Sequence, residues 1–275
     1  MKIFSTGSKR LDELIGGYEP KKVYHFYGKA TTGKTHLTCY QPIKSILSLY
    51  TADLMKTNKQ MFIVIACDGS FSFNRLSEVA IKSTENTRIW TGILDVIQPK
   101  DFDQQHNFIM KLPAYFETMG IKPLLIACDP MTSLYRIEFM NTERSRRLSV
   151  ALQRTGQLEA QLNVLRSLAE KYECPVTVSN WYKPPIEGEI NESEWWREFG
   201  GGRGFEYYPS ISVRLEEIMK SPKVIKATVV KHRFKTEGLY TYFTITPFGI
   251  ADLDDKLFEE VMEYDEKRLK EKEKE

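Results

Sequence analysis

Cysteine is scarce in this 275-residue chain, and its placement excludes two classes of protein. The four cysteines, Cys39, Cys67, Cys128 and Cys174, stand singly, with no C-x-x-C pair among them. A disulfide framework and the usual zinc spacings are therefore excluded, because both need cysteines at short repeated intervals. We expect all four to be small buried side chains.

Long hydrophobic runs and an excess of one charge are missing too. No apolar run approaches the roughly 18 residues of a membrane span, and the opening MKIFSTGSKR lacks the apolar stretch of a signal peptide. The chain carries 39 basic and 37 acidic residues, a net charge of +2. We therefore expect a soluble, cytoplasmic protein without a membrane partner, in which any nucleic-acid site is a local patch.

What the chain does have is a hydrophobic fraction of 41%, enough for a substantial core. Four nearly continuous apolar runs read as strands buried on both faces, at 21–28, 60–68, 123–129 and 174–180. A weaker strand candidate lies at 93–97, and the stretch before the third run is broken by Pro113. Helix periodicity fills 148–169. Alternating strands and helices predict an α/β fold with a mostly parallel sheet flanked by helices.

Three further strand candidates follow near the end of the chain, at 210–218, 224–233 and 239–246. Their close spacing predicts antiparallel pairing. We assign residues 1–252 to one core and residues 253–275, which end in EYDEKRLKEKEKE, to a charged helix or tail that we expect to be solvated.

The strongest chemical signal is a glycine-rich loop between the first strand and a helix expected from Lys34. The segment GKATTGKT matches G-x-x-x-x-G-K-[ST], whose glycines let backbone amides wrap phosphates. The helix N-terminus adds partial positive charge. Lys34 is expected to reach the β and γ phosphates, and the Thr35 hydroxyl to ligate Mg²⁺. The candidate nucleotide-binding residues here are Gly28, Lys29, Ala30, Thr31, Thr32, Gly33, Lys34, Thr35 and His36.

A second half of such a site is expected at Asp129, the last residue of the run PLLIACD. Open α/β sheets place ligand groups at the carboxyl ends of their strands. An aspartate there holds Mg²⁺ directly or through water. Asp129 and Thr35 are therefore the candidate metal ligands.

Three segments resemble the archaeal RadA and RadB ATPases of the RecA-like recombinase family. Residues 4–37, FSTGSKRLDELIGGYEPKKVYHFYGKATTGKTHL, are similar to the opening of that family, and DPMTSLYRIEF at 129–139 to its second phosphate-site motif. CDGSFSFNRL at 67–76 stands where the family has a carboxylate at a strand end. The resemblance covers most of residues 1–250. It implies a RecA-like P-loop core, ATP and Mg²⁺ as cofactors, and a role in recombination and DNA repair.

The resemblance also assigns roles to individual positions, with departures. Lys34 and Asp68 become the expected catalytic pair, but Asp68 stands where the family has a glutamate and is shorter by one bond, about 1.5 Å. Misplacement of ~1 Å can lower a rate ~10²-fold, so slow hydrolysis is expected. The family's phosphate-sensing glutamine falls on Trp181, which cannot accept hydrogen bonds as an amide does. Arg75 either stacks on adenine or is an exposed helix arginine.

The chain begins directly at the core, without the N-terminal helical domain and aromatic linker motif through which family members join subunits. We therefore expect self-assembled filaments to be disfavoured. KHR at 231–233 has the K-x-R spacing that related ring-forming ATPases present to a neighbour's phosphates. Lys231 and Arg233 are accordingly candidates for a contact between subunits, with a solvated basic strand edge as the alternative.

Two loops touch DNA in the resembling family, and here they differ in charge. The first, 141–154, has Arg144, Arg146, Arg147 and Arg154 against Glu143, a net charge of +3. It suits phosphate contacts whose strength falls with salt, although a solvated basic helix start would look the same.

The second loop, 182–209, has three basic and six acidic residues, a net charge of −3 that should repel a DNA backbone. Trp195 and Trp196 could stack on bases, anchor a protein partner or pack on the core.

Together these features predict an ATP-binding accessory protein of homologous recombination, with weak ATPase activity. Single-stranded DNA, a RecA-family recombinase or a second copy of the chain are its expected partners, and its expected location is the cytoplasm, associated with the nucleoid. Three alternatives stay open: a self-sufficient strand-exchange recombinase, an ATP-sensing protein scaffold that binds no DNA, and a small-molecule phosphotransferase.

Overall fold

The computed structural model describes residues 2–81, 87–182 and 201–272. These residues form one nine-stranded sheet with the order β3-β2-β4-β5-β1-β6-β7-β8-β9. The strands are β1 Val23–Gly28, β2 Gln60–Ala66, β3 Leu94–Ile97, β4 Lys122–Asp129, β5 Val176–Trp181, β6 Ile211–Lys220, β7 Lys223–His232, β8 Tyr240–Thr246 and β9 Gly249–Ala251.

Strands β3 to β6 in that order pair in parallel, whereas β6-β7, β7-β8 and β8-β9 pair antiparallel. The predicted fold class, a mostly parallel α/β sheet with antiparallel strands at the C-terminal side, is therefore confirmed. β1 is central and fully buried, because it is flanked by β5 on one side and β6 on the other.

Helices cover both faces of the sheet. They are α1 Lys9–Ile15, α2 Gln41–Leu47, α3 Ala52–Thr57, α4 Phe73–Ile81, α5 Phe102–Met119, α6 Ser133–Asn141, α7 Arg147–Tyr172, α8 Gly204–Tyr207 and α9 Asp255–Lys272. Helix α7 confirms the predicted periodic segment. The helix expected after the glycine-rich loop begins at Lys34, passes through a π-helical stretch at His36–Tyr40, and continues as α2.

Helix α5 runs through Pro113, so the break predicted at this proline is wrong. Asp101 starts the helix by accepting a hydrogen bond from the Gln104 amide at 2.8 Å. Ile109, Leu112 and Phe116 are buried in one core cluster with side chains of α7. This burial outweighs the backbone hydrogen bond that a proline removes inside a helix.

Helix α9 is not solvated on all sides, contrary to expectation. Val261 is buried in a small cluster against β6, β7 and β8. Asp265, 1% exposed, forms an ion pair with Lys226 at 2.6 Å and accepts from the Tyr242 hydroxyl at 2.9 Å. A buried, hydrogen-bonded pair fixes the helix against the sheet. The boundary at residue 252 stays a prediction.

All four cysteines are buried free thiols, as expected. Over the part of the chain that the structure describes, no helix combines the length and apolarity needed to cross a membrane.

Candidate phosphate-binding site

The glycine-rich loop leaves the end of β1 at the carboxyl edge of the parallel strands. Gly28 lies between Trp181 of β5 and Leu215 of β6 in register. A Cβ atom at Gly28 would stand 2.3 Å from the Leu215 carbonyl oxygen, so the neighbouring strand permits only glycine. Gly33 has a φ of +86°, a left-handed conformation that also favours glycine. The two motif glycines are thus required by the shape of the loop.

Lys34 is held inside this loop and is only 7% exposed. Its Nζ donates to the Lys29 carbonyl oxygen at 2.5 Å, and the same oxygen accepts from Thr32 Oγ1 at 2.9 Å. Burial lowers the pKa of Lys34 to about 8, while the charges of Asp129 and Asp68 oppose that change. A cation that burial disfavours this strongly gains from an anionic ligand.

Asp129 ends β4 and is buried, at 2% exposure. Ser179 Oγ donates to its Oδ1, whereas Oδ2 makes no hydrogen bond within the described residues. The pKa of Asp129 is raised by burial, and the hydroxyls of Ser179 and Thr35 offset only part of that rise. A buried carboxylate oxygen without a partner, beside the Thr35 hydroxyl, fits a hard cation.

The same edge lacks a ready-made protein cage for a metal. Within the described ranges, no group of three or more His, Cys, Asp or Glu side chains is arranged to hold a metal ion. This agrees with Mg²⁺ chemistry, since Mg²⁺ is usually bound by one or two protein ligands together with phosphates and water. The donor set of Asp129 and Thr35 therefore fits Mg²⁺ only when a phosphate ligand is also bound.

Asp68 follows β2 on an exposed bend at this edge. The preceding Cys67 amide donates to the Asp129 carbonyl oxygen at 2.8 Å, which brings the two strand ends together. Asp68 Oδ1 accepts from the Ser70 amide at 2.9 Å. The carboxylate is thus near the loop but is engaged by its own turn.

Arg75 lies beside the helix that follows the loop. Its guanidinium donates to the Thr246 and Pro247 carbonyl oxygens, both at 2.8 Å, and so ties α4 to the β8-β9 turn. Arg75 Nη2 is 3.4 Å from His36 Nε2. Burial, with Arg75 and Lys223 nearby, lowers the pKa of His36 to about 4, so His36 is neutral near pH 7. Stacking of Arg75 on the adenine ring of a bound nucleotide stays a prediction.

Trp181 ends β5 next to the loop. The guanidinium carbon of Arg136 lies 5.7 Å from its ring centre, a cation–π contact. The next amide, of Tyr182, donates to the Gly28 carbonyl oxygen at 2.9 Å. This strand end is therefore fastened to the start of the phosphate loop.

Charged residues of the β6-β7 hairpin also reach the loop, and no sequence pattern predicts this contact. Thr31 Oγ1 donates to Glu217 Oε2 at 3.4 Å, and Lys223 Nζ lies 3.8 Å from that oxygen. They lie almost 200 positions beyond the loop in the chain, and only the sheet order brings them next to it.

The basic segment after α6 is less free than its composition suggests. Arg154 is buried in ion pairs with Asp103 at 2.5 Å and Glu138 at 2.7 Å. Arg147 donates to the Thr142 and Met140 carbonyl oxygens. Two exposed arginines then remain that form no ion pair within the described ranges. They are Arg144 and Arg146. Trp195 and Trp196 lie outside the described residues.

Lys231 and Arg233 lie at the edge opposite the phosphate loop. His232, between them, pairs with Ile211 at the start of β6. Because β6 runs parallel to β1, the length of a six-residue strand, about 20 Å, separates this edge from the loop. Lys231 Nζ donates to the Glu206 and Tyr207 carbonyl oxygens of α8, and burial lowers its pKa.

Arg233 lies over the Phe234 ring. Neither this residue nor Lys231 can reach the loop of its own chain, so the predicted contact would need a second copy.

The chain is a P-loop protein with a RecA-like α/β core. A glycine loop follows its central strand, and a buried lysine and a buried aspartate lie at the carboxyl end of the sheet. The family model of Rad51 matches residues 1–203, and the chain belongs to the Rad51 family.

Curated relatives agree along nearly the whole chain. The DNA repair and recombination protein RadB of Methanoculleus marisnigri is 30% identical over 248 residues, 90% of this chain and 96% of that protein. RadB of Thermococcus kodakarensis is 29% identical over 92% of this chain and 100% of its own length. A crystal structure of the RadB recombinase superposes with a TM-score of 0.63 at 26% identity, covering 92% of this chain and 100% of that one.

Proposed function

We propose that this chain is an ATP-binding protein that assists homologous recombination and DNA repair, with Mg²⁺ as cofactor and weak ATPase activity. A role in recombination and repair follows from membership in the Rad51 family and from relatives named for it. The observation that carries the proposal is that a buried Lys34 and a buried Asp129 lie at the same edge of the sheet, and that Asp129 Oδ2 makes no hydrogen bond within the described residues. Both groups gain when a nucleotide and a cation bind.

In the proposed mechanism the loop amides and Lys34 would hold the phosphates, and Thr35 with Asp129 would hold the metal. Bound Mg²⁺ would neutralise phosphate charge. Ser179 keeps the Asp129 carboxylate in place through its hydrogen bond to Oδ1. Asp68 would orient the attacking water, and its short side chain and its bond to the Ser70 amide both favour slow turnover.

The strand ends beside Asp129 offer a route from nucleotide to the candidate DNA loops. The Met131 amide donates to the Ser179 carbonyl oxygen at 2.8 Å, and the Thr132 amide donates to Asn180 Oδ1 at 3.2 Å. These bonds tie the exit of β4 to the exit of β5. A shift at Asp129 on ATP binding would therefore move both loop origins together.

For the partner, we favour single-stranded DNA held through Arg144 and Arg146, which are exposed and form no ion pair within the described ranges. Two contacts of this kind give weak, salt-sensitive binding. This suits an accessory protein that also binds a recombinase, and it would associate the protein with the nucleoid. The self-sufficient recombinase remains the alternative, because the solved structure that this chain is similar to is named a recombinase.

The test compares wild type with Lys34→Ala in three assays: binding of ATP with Mg²⁺, ATP turnover, and retention of single-stranded DNA with and without ATP. We expect the variant to lose ATP binding and the ATP-dependent part of DNA retention. If ATP affinity is unchanged in Lys34→Ala, the proposed function is wrong. ATP-dependent behaviour with no DNA retention would favour the protein scaffold, and joint-molecule formation by the protein alone would favour the self-sufficient recombinase.

A further inference from the structure

The β6-β7 hairpin brings an ion pair against the phosphate loop. Glu217 Oε2 lies 3.4 Å from Thr31 Oγ1 and 3.8 Å from Lys223 Nζ, so one carboxylate oxygen joins the loop to the lysine. The side chains of Glu217 and Lys223 are 25% and 32% exposed. Partial burial strengthens the electrostatic interactions of these two charges, because the effective dielectric constant around them is lower than in water.

The position of this pair is supported by the strands around it. The strands on either side also touch the loop: Leu215 of β6 limits Gly28, and Ile245 of β8 limits Gly33. Lys223 therefore lies on the part of the sheet, strands β6 to β8, that the loop already contacts at Gly28 and Gly33.

Lys223 can exchange its carboxylate partner for a phosphate. Without a ligand, Glu217 offsets the charge of Lys223. A polyphosphate in the loop carries several negative charges and would attract the lysine more strongly than one carboxylate does. Before the ligand binds, the Glu217 carboxylate pairs with Lys223 beside the loop.

We propose that Lys223 is a further nucleotide-binding residue, which contacts the phosphates from the β6-β7 hairpin of the same chain, and that Glu217 is its competing partner when no nucleotide is bound. The inference rests on the proposed function, because it needs a nucleotide in the loop. It adds a phosphate ligand that lies outside the glycine-rich motif.

The test measures the affinity of the full chain for a fluorescent ATP analogue and for ADP, with Mg²⁺. Lys223→Met should weaken ATP binding about tenfold and ADP binding less, since a charge contact scales with ligand charge. The matched control is Lys220→Met, because Lys220 is the exposed register partner of Lys223 on the same hairpin. This control should change affinity less than about twofold.

Two more variants keep the result interpretable. Lys223→Arg retains the charge and should keep most of the affinity, which separates charge loss from misfolding. Glu217→Gln should tighten ATP binding, because the lysine loses its competitor. Equal affinities for Lys223→Met and Lys220→Met would overturn this inference while leaving ATP binding intact. Failure of wild type to show ATP binding that Lys34→Ala removes would instead refute the proposed function, and this inference with it.

Discussion

Replacing Lys34 by methionine should stabilise the nucleotide-free protein even though it abolishes ATP binding. Methionine has a similar length and no charge. Burial lowers the pKa of Lys34 from 10.5 to about 8, so the folded state disfavours the ammonium relative to the unfolded chain. A difference of this size corresponds to about 3 kcal/mol at pH 7, as an upper estimate. Removing the charge removes that cost.

The difference in stability between the two proteins should depend on pH. Between about pH 8 and 10.5 the unfolded chain binds more protons at Lys34 than the folded chain, so wild-type stability rises with pH across this window. Lys34→Met lacks this rise, and the gap between the two proteins should therefore close by pH 10.5.

The assay is urea unfolding of both proteins without nucleotide and with a chelator, at pH 7 and near pH 10. Lys29→Met is the control, because Lys29 is an exposed lysine in the same loop and its loss should be nearly neutral. If Lys34→Met is no more stable than wild type at pH 7, or if the gap does not shrink at high pH, the argument for a strained buried cation fails.

Three further predictions follow from the same geometry. Asp68→Glu should raise kcat for ATP by ten- to a hundredfold, because the longer side chain restores the reach of about 1.5 Å; an unchanged steady-state rate would show that this reach is not limiting. Joint replacement of Arg144 and Arg146 by Ala should lower the salt slope of single-stranded DNA binding by roughly 1.4 and leave ATP affinity alone. Lys231→Met should lower the free energy of unfolding by about 1 kcal/mol, because α8 loses two hydrogen bonds to its carbonyl oxygens and because Lys231, unlike Lys34, is only half-buried, so little desolvation cost is removed. ATP affinity of the isolated chain should not change.

The parts of the site that could be predicted from the sequence are those with a local cause. The glycine loop and Asp129 were recognisable because a strand followed by a tight turn, or a strand ending in a carboxylate, is written in consecutive residues. The burial of Arg154 could not be predicted, because its ion-pair partners, Asp103 and Glu138, lie 51 and 16 positions away. Ion pairs between residues so far apart in the chain leave no periodic pattern in the sequence.

The antiparallel side of the sheet shows the same limit. Pairing among β6, β7 and β8 was predictable from their spacing, but their place next to β1 was not. That placement decides two outcomes at once. It puts Glu217 against the phosphate loop, and it sends Lys231 to the opposite edge, where it binds α8.

The proposed connection between nucleotide and loops runs through Asn180 and His25, which do not change charge near neutral pH. Asn180, whose Oδ1 accepts from the Thr132 amide, is itself held by a hydrogen bond to His25 at 3.0 Å. Burial lowers the pKa of His25 to about 3, so the ring stays neutral over the whole physiological range. The β1, β4 and β5 ends are thus joined by bonds whose donors and acceptors are constant with pH. Any pH dependence of nucleotide-controlled loop ordering should therefore arise at Lys34 and Asp129, where the ligand itself would bind and where burial shifts both pKa values, and not at His25 or Asn180.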